Sequence, residues 1–203
     1  MRGISVIRKG VFIALLVTSN FCVSVLTHEF GHALGSKMAG HRVAFIHVWP
    51  GYQIVPEFGK PVEYEWPNGV IAVTHAKKVM WHQRSILDIS DWLSDKWNTS
   101  LPLLLSSGTN WFISIVFIAI LLALKPKGFW LSLTVALFYY DVFSYVVFPY
   151  FFNLPHLIFW GGHYVEPAVA LTGLGLHSDV AAMAIVSVCI IQTVIVAITI
   201  KKD

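Results

Sequence analysis

The chain has 203 residues, of which 56% are hydrophobic and only 12% charged, and its formal net charge is +3. Soluble domains carry about a quarter of their residues as charged side chains, so this composition excludes an ordinary soluble protein. It predicts an integral, multi-pass membrane protein whose surroundings are the lipid bilayer. The positive charge is too small and too dispersed to indicate nucleic-acid binding.

Four segments with few or no charges are long enough to cross the roughly 30 Å hydrocarbon core of a bilayer. They predict transmembrane spans over about 11–39, 101–124, 129–150 and 180–200. The fold class expected is therefore an all-α polytopic membrane protein, forming one domain over 1–203 with about four transmembrane helices. The start of the first span also has the basic and apolar regions of a secretory signal, but no small-x-small cleavage site follows it, so we expect it to remain.

Basic residues cluster at the ends of the predicted spans. They precede span one, separate spans two and three, and follow span four: Arg2, Arg8, Lys9, Lys125, Lys127, Lys201 and Lys202. Because cytoplasmic loops carry an excess of Lys and Arg, this distribution predicts that both termini are cytoplasmic. The connection 41–100, which also carries basic residues, would then lie outside.

That connection is the one sizeable polar region, and its pattern predicts strands. Val43–Val48 and Tyr52–Val55 flank a Trp-Pro-Gly turn, while Val62–Trp66 and Val70–Thr74 flank a Pro-Asn-Gly turn. We expect a small membrane-associated antiparallel sheet of three or four strands between spans one and two. The following segment, Val79–Trp97, places apolar residues on one helical face and aspartates on another, which predicts an interfacial helix.

The segment THEFGHALG places two histidines and a glutamate at the end of the first apolar span. His28 and His32 are four residues apart, so on a helix their imidazoles lie about one turn apart and can bind one zinc ion. Glu29 beside them is placed to take a proton from a zinc-bound water. A charged group in hydrocarbon costs roughly 2.5–3.5 kcal/mol, and a bound cation would offset this cost.

A catalytic zinc usually has three protein ligands, so the sequence must supply a third. Asp141 is the sole ionised group of the third apolar span and is the predicted third ligand. The stretch NLPHLIFWGGHYVEP offers His156, His163 and Glu166, but its Pro and Gly residues indicate a loop or re-entrant segment. Glu166 stays open as the alternative ligand.

The stretch HEFGHALGSKMAGHRV resembles the signature of the site-2 protease family of intramembrane zinc metallopeptidases. In that family the first core helix carries H-E-x-G-H, followed by small residues, a glycine and a basic β-strand. The resemblance implies that His28 and His32 are zinc ligands and that Glu29 is the catalytic base. It also implies a cytoplasmic position for the segment after this helix, opposite to the orientation that the basic residues predict.

The resemblance is looser in the other spans. The family's second core helix carries a Gly-Pro-x-x-Asn element, for which SSGTNWF offers Gly108 and Asn110 as substrate-binding residues, without the proline and with shorter spacing. Asn110 can equally serve as an interhelical hydrogen-bonding residue. The third core helix supplies an aspartate, which corresponds to Asp141, although neither the usual Asn-Pro nor the following glycine is present.

These features together predict an intramembrane zinc metalloprotease that hydrolyses transmembrane or membrane-proximal segments of protein substrates. A helical substrate hides its carbonyl groups, so we expect an exposed sheet edge near Val43–Val48 to hold it as an extended strand. No separate recognition module fits in the chain, which leaves room for a regulatory membrane partner. The alternative is a metal-binding membrane protein without proteolytic activity, such as a transporter or assembly factor.

Overall fold

The computed structural model describes residues 2–77, 88–124, 141, 143–156 and 163–201. The described helices are α1 (Arg2–Met38), α2 (Asp88–Leu124), α3 (Glu166–Gly173) and α4 (Ser178–Lys201), with a π-helix at Val147–Phe151. The described strands are β1 (Arg42–Val48), β2 (Tyr52–Val55) and β3 (Ala72–Lys77), which lie between α1 and α2 in the chain.

Three of these helices are long and apolar enough to cross a membrane. The qualifying segments are Val6–Met38 of α1, Lys96–Ile120 of α2 and Ser178–Ile198 of α4. They correspond to the predicted spans 11–39, 101–124 and 180–200. The predicted span 129–150 lies largely outside the described residues, so the number of four spans stays a prediction.

The helices expose apolar side chains and bury small polar ones, the reverse of a soluble domain. Phe112 is 65% exposed and Ile191 is 60% exposed. The buried polar side chains on α1 and α2 include Asn20, Ser36, Ser106, Ser107, Asn110 and Ser114. Small and polar residues between apolar helices are typical of bundles surrounded by lipid, where they allow close approach and interhelical hydrogen bonds.

Two glycines of α1 allow it to lie directly against α2. A Cβ atom added to Gly35 would be 2.6 Å from the carbonyl oxygen of Leu101, and one added to Gly31 would overlap the backbone of Leu105. The segment GHALG thus acts as a Gly-x-x-x-G contact. Because His32 lies between these glycines, the contact also fixes the histidine turn of α1 against α2.

The described strands form one antiparallel sheet in the order β2-β1-β3. The predicted strands Val43–Val48 and Tyr52–Val55 are confirmed. The strand predicted at Val70–Thr74 is also present, but it begins at Ala72 and ends at Lys77, as β3. The prediction of a strand at Val62–Trp66 is wrong, because these residues form no strand and the segment is preceded by an isolated bridge between Tyr52 and Pro61. Prolines on both sides of that segment remove backbone donors that a strand would use.

The prediction of an exposed edge near Val43–Val48 is also wrong, because β1 is the central strand. It pairs with β2 on one side and with β3 on the other. The turn after Val48 returns the chain on one side as β2, and the longer excursion to Ala72 returns it on the other side. The edges of the described sheet are therefore β2 and β3.

The predicted interfacial helix Val79–Trp97 lies partly outside the described residues. Its described part, 88–97, is the beginning of α2 and is continuous with the second span.

Hydrogen bonds also join α2 to α4. The indole N–H of Trp111 on α2 donates to Gln192 of α4 at 2.9 Å. The amide of Gln192 in turn donates to Ser114 at 2.6 Å, so α4 is held to α2 by buried hydrogen bonds.

Candidate metal centre

The two histidines of α1 lie side by side, His28 buried and His32 half-buried. The ring centroids of His28 and His32 are 4.9 Å apart, with the planes nearly perpendicular at 79°. His28 is only 4% exposed. An imidazole buried in this way requires polar partners on both ring nitrogens, and the structure supplies a carboxylate for each.

Glu166 brings its carboxylate to both histidines at once. Its Oε2 lies 3.2 Å from Nε2 of His28 and 3.3 Å from Nε2 of His32. One ligand atom from each residue lies within 4.8 Å of the others, so the three residues can hold a metal ion. Ligands bound at roughly 2.0–2.1 Å to a tetrahedral zinc lie about 3.3 Å apart, which the observed spacings match.

The charge state of Glu166 suits this role. Burial raises the pKa of its carboxyl group, but the two histidines beside it outweigh burial and hold the pKa below its ordinary value. The carboxylate is therefore ionised, which is the form that binds a metal ion.

Helix α3 places Glu166, because this residue is its first and is followed by Pro167. An acidic residue and a proline in the first turn are favourable at a helix N-terminus. Oγ of Ser106 on α2 lies 3.2 Å from Oε2 of Glu166 and 2.7 Å from the carbonyl oxygen of Leu103. The Glu-Pro pair is thus a sequence signal for the start of a helix, which the predicted loop did not include.

Asp141, the predicted third ligand, lies on the opposite side of His28. Its Oδ2 is 3.1 Å from Nδ1 of that histidine, whereas Glu166 faces Nε2. Among the described residues the group able to hold a metal ion contains Glu166 and not Asp141. The geometry therefore favours the alternative ligand, and Asp141 takes the position of a carboxylate that orients a metal-binding histidine.

Asn110 connects Asp141 to α1 and is fully buried, at 0% exposed. Its Nδ2 donates to Oδ2 of Asp141 and to the carbonyl oxygen of Ser24, both at 3.0 Å. Its Oδ1 accepts a hydrogen bond from the hydroxyl of Thr27. The amide is therefore occupied by other residues of the protein, which matches the interhelical role rather than substrate binding.

Gly108 lies away from this site. It lines a separate apolar cavity of about 240 Å³ between α2, α3 and α4, and a Cβ atom added to it would meet nothing within 4 Å. The predicted substrate-binding pair of Gly108 and Asn110 is therefore not brought together in one pocket.

Glu29, the predicted catalytic base, is 6% exposed and contacts the sheet. Its Oε2 accepts a hydrogen bond of 2.5 Å from the hydroxyl of Thr74 on β3. Sequence reasoning missed Thr74, because no local pattern indicates which residue of a strand will meet a helix 45 positions earlier.

A cavity of about 390 Å³ lies beside His28. Its lining includes His28, Glu29, Asp141, Glu166 and the segment 69–72. His28 and Glu166, two members of the group that could hold a metal ion, thus share this cavity with Glu29 and Asp141.

Tyr145 forms an aromatic wall of this cavity. It stacks on His28 with centroids 5.0 Å apart and on His156 with centroids 4.2 Å apart. His156 thus reaches the cavity through stacking, while His163 is exposed, and neither belongs to the group that could hold a metal ion.

Comparisons of the chain with family models, with curated proteins and with solved structures found no match.

Proposed function

We propose that the protein is an intramembrane zinc metallopeptidase that cleaves transmembrane or membrane-proximal segments of other proteins. The observation that carries this proposal is the convergence of His28, His32 and Glu166 beside Glu29. The group lies on and between helices apolar enough to cross a membrane. A set of two imidazoles and one carboxylate, of which His28 is buried and the other two are half-buried, suits zinc better than magnesium or calcium, which prefer oxygen ligands.

His28, His32 and Glu166 would hold the ion, through the two Nε2 atoms and Oε2. A divalent ion in this position supplies a Lewis acid that polarises a peptide carbonyl and makes a water molecule more acidic. Two histidines and a glutamate are a known ligand set of zinc peptidases.

Glu29 performs the proton transfers. Its carboxylate takes one proton from the attacking water as the new carbon–oxygen bond forms at the carbonyl carbon. The same proton then passes to the amide nitrogen as the carbon–nitrogen bond breaks, so the products are a carboxylic acid and an amine. Glu29 lines the same cavity as two of the ligands and is not itself part of the ligand group.

Asp141 and Asn110 orient the centre. Asp141 accepts the Nδ1 proton of His28, which leaves the lone pair of Nε2 on the side of Glu166. Asn110 donates to the same oxygen of Asp141 and so fixes the carboxylate. Such partners of metal-binding histidines set the tautomer and the ring orientation.

The outer edge of β3 is the surface that best suits an extended substrate. The N–H of Trp49 donates to the carbonyl oxygen of Ile71 at 2.6 Å, and Ile46 pairs with Thr74 in the register. In an antiparallel ladder the hydrogen-bonding direction alternates, so the backbone groups of Ala72 and Thr74 point away from β1. Since segment 69–72 also lines the cavity, a peptide strand added here would run past Glu29.

The test of this function is a cleavage assay in detergent on a panel of transmembrane peptides, with metal content measured on the same samples. Glu29→Gln should keep the metal content of the wild type and lose cleavage by a factor on the order of 10²–10⁴, since it removes the general base. Equal cleavage by both proteins would overturn the proposal. Bound metal without any cleavage by the wild type would favour the non-proteolytic alternative.

A further inference from the structure

We propose that Thr74 is a positioning residue for Glu29, an inference that rests on the proposed function. Its hydroxyl oxygen lies 2.5 Å from Oε2 of Glu29 and 3.1 Å from the carbonyl oxygen of the same residue. A hydroxyl has one proton to donate, and the shorter contact to the carboxylate takes it. Hydrogen bonds to ionised acceptors are shorter and stronger than neutral ones, which agrees with this assignment.

The contact restrains a side chain that would otherwise rotate. Glutamate has three side-chain torsions, and the described part of the chain offers Glu29 no side-chain hydrogen bond other than that of Thr74. With Oε2 held by Thr74, Oε1 is the oxygen that takes the proton from water. The productive orientation of the base is thereby fixed before a substrate arrives, which is how a neighbouring group increases a rate without touching the substrate.

The register of the sheet determines that Thr74, and not a neighbour, reaches Glu29. Thr74 pairs with Ile46, and side chains of directly opposed residues lie on the same face of a sheet. Ile46 is 1% exposed, so Thr74 lies on a face of the sheet that is covered at this position. The next residue, His75, lies on the other face, where it contacts Phe45 and Tyr64.

The same strand therefore carries two parts of the site. The hydroxyl of Thr74 holds the base, while Ala72, two residues earlier, lines the cavity. Two residues of a strand span about 6.6–6.8 Å, so the distance between the base and anything seated at the edge of β3 is set by a rigid element. Replacing Thr74 should thus change the rate of the chemical step and not the binding of substrate.

The experiment compares Thr74→Val, Thr74→Ser and wild type. Thr74→Val keeps the shape of the side chain and loses the donor, so kcat should fall about tenfold while KM stays within about twofold, as expected for one orienting hydrogen bond. Thr74→Ser keeps the hydroxyl and should restore kcat to within about threefold. Metal content should be equal in all three. The control Thr193→Val removes a hydroxyl that bonds to Cys189 within α4, and it should leave kcat unchanged.

A spectroscopic arm separates this inference from the proposed function. The infrared difference spectrum between proteins with and without Glu29→Gln isolates the carboxylate band of Glu29, and it is recorded for each residue at position 74. Thr74→Val should shift that band, whereas Thr74→Ser should not. An unshifted band, an unchanged kcat in Thr74→Val, or equal losses in the valine and serine variants would each overturn the inference. Absence of Glu29-dependent cleavage in the wild type would instead overturn the function, while the band shift still decides whether Thr74 holds Glu29.

Discussion

At the scale of single residues, the two carboxylates beside His28 contact different nitrogens of its ring. Glu166 lies 3.2 Å from Nε2 and Asp141 lies 3.1 Å from Nδ1. Only Glu166 also reaches His32. A carboxylate shared by two imidazoles is suited to bind the ion, and a carboxylate behind one imidazole is suited to orient it.

This division predicts different metal affinities for two alanine variants. Glu166→Ala removes a ligand and should leave the protein without stoichiometric metal after dialysis. Asp141→Ala should retain metal but bind it about 10–100-fold more weakly, as found when the partner of a metal-binding histidine is lost. Titration with a competing chelator, followed by elemental analysis, measures both. The assignment fails if Asp141→Ala loses more metal affinity than Glu166→Ala.

The sequence predicts the residues on α1 better than those that meet them. The spacing of His28 and His32 on one helix is a local property, so the structure places them as expected. The partners depend on how distant segments fold back: Glu166 is 134 or more positions away along the chain, and neither its approach nor that of Thr74 follows from a local pattern. A lone Asp141 in an apolar segment predicts a polar partner, and Nδ1 of His28, at 3.1 Å from its Oδ2, is such a partner.

At the scale of elements, sequence patterns identify which segments are strands but not how they are arranged. The alternation around Val43–Val48 and the following turn are local, and β1 and β2 form there. Which strand lies at the edge depends on where the excursion 56–71 returns, and this is decided by tertiary contacts. The sheet therefore presents β3 to α1, as the bond from Thr74 to Glu29 shows.

The position of β3 predicts the effect of a proline at its outer edge. Ala72→Pro removes an N–H that points away from β1, so the sheet keeps its internal hydrogen bonds while a donor for an added strand is lost. We expect kcat/KM for peptide cleavage to fall about tenfold with unchanged metal content. The control Ala72→Gly keeps the N–H and adds no atoms to the cavity, so it should retain most of the cleavage that Ala72→Pro loses. Unchanged cleavage by the proline variant would exclude strand addition at this edge.

At the scale of the whole molecule, the candidate metal centre depends on the packing of three separate parts of the chain. Gly31 and Gly35 bring α1 against α2, and Ser106 on α2 contacts Glu166 at the start of α3. Composition predicted the apolar helices, because a helix that crosses a membrane needs apolar residues along most of its length. The convergence of the ligands could not be predicted in the same way, since it depends on close backbone contacts between helices.

The coordination of the bound ion tests this account most directly, and X-ray absorption at the zinc edge of the purified protein measures it. We predict one zinc ion per chain, bound by two imidazoles and by oxygen at about 2.0–2.1 Å, with the oxygen contribution reduced in Glu166→Ala. A protein that stays free of metal in zinc-containing buffer, or a spectrum without two imidazole ligands, would contradict the account.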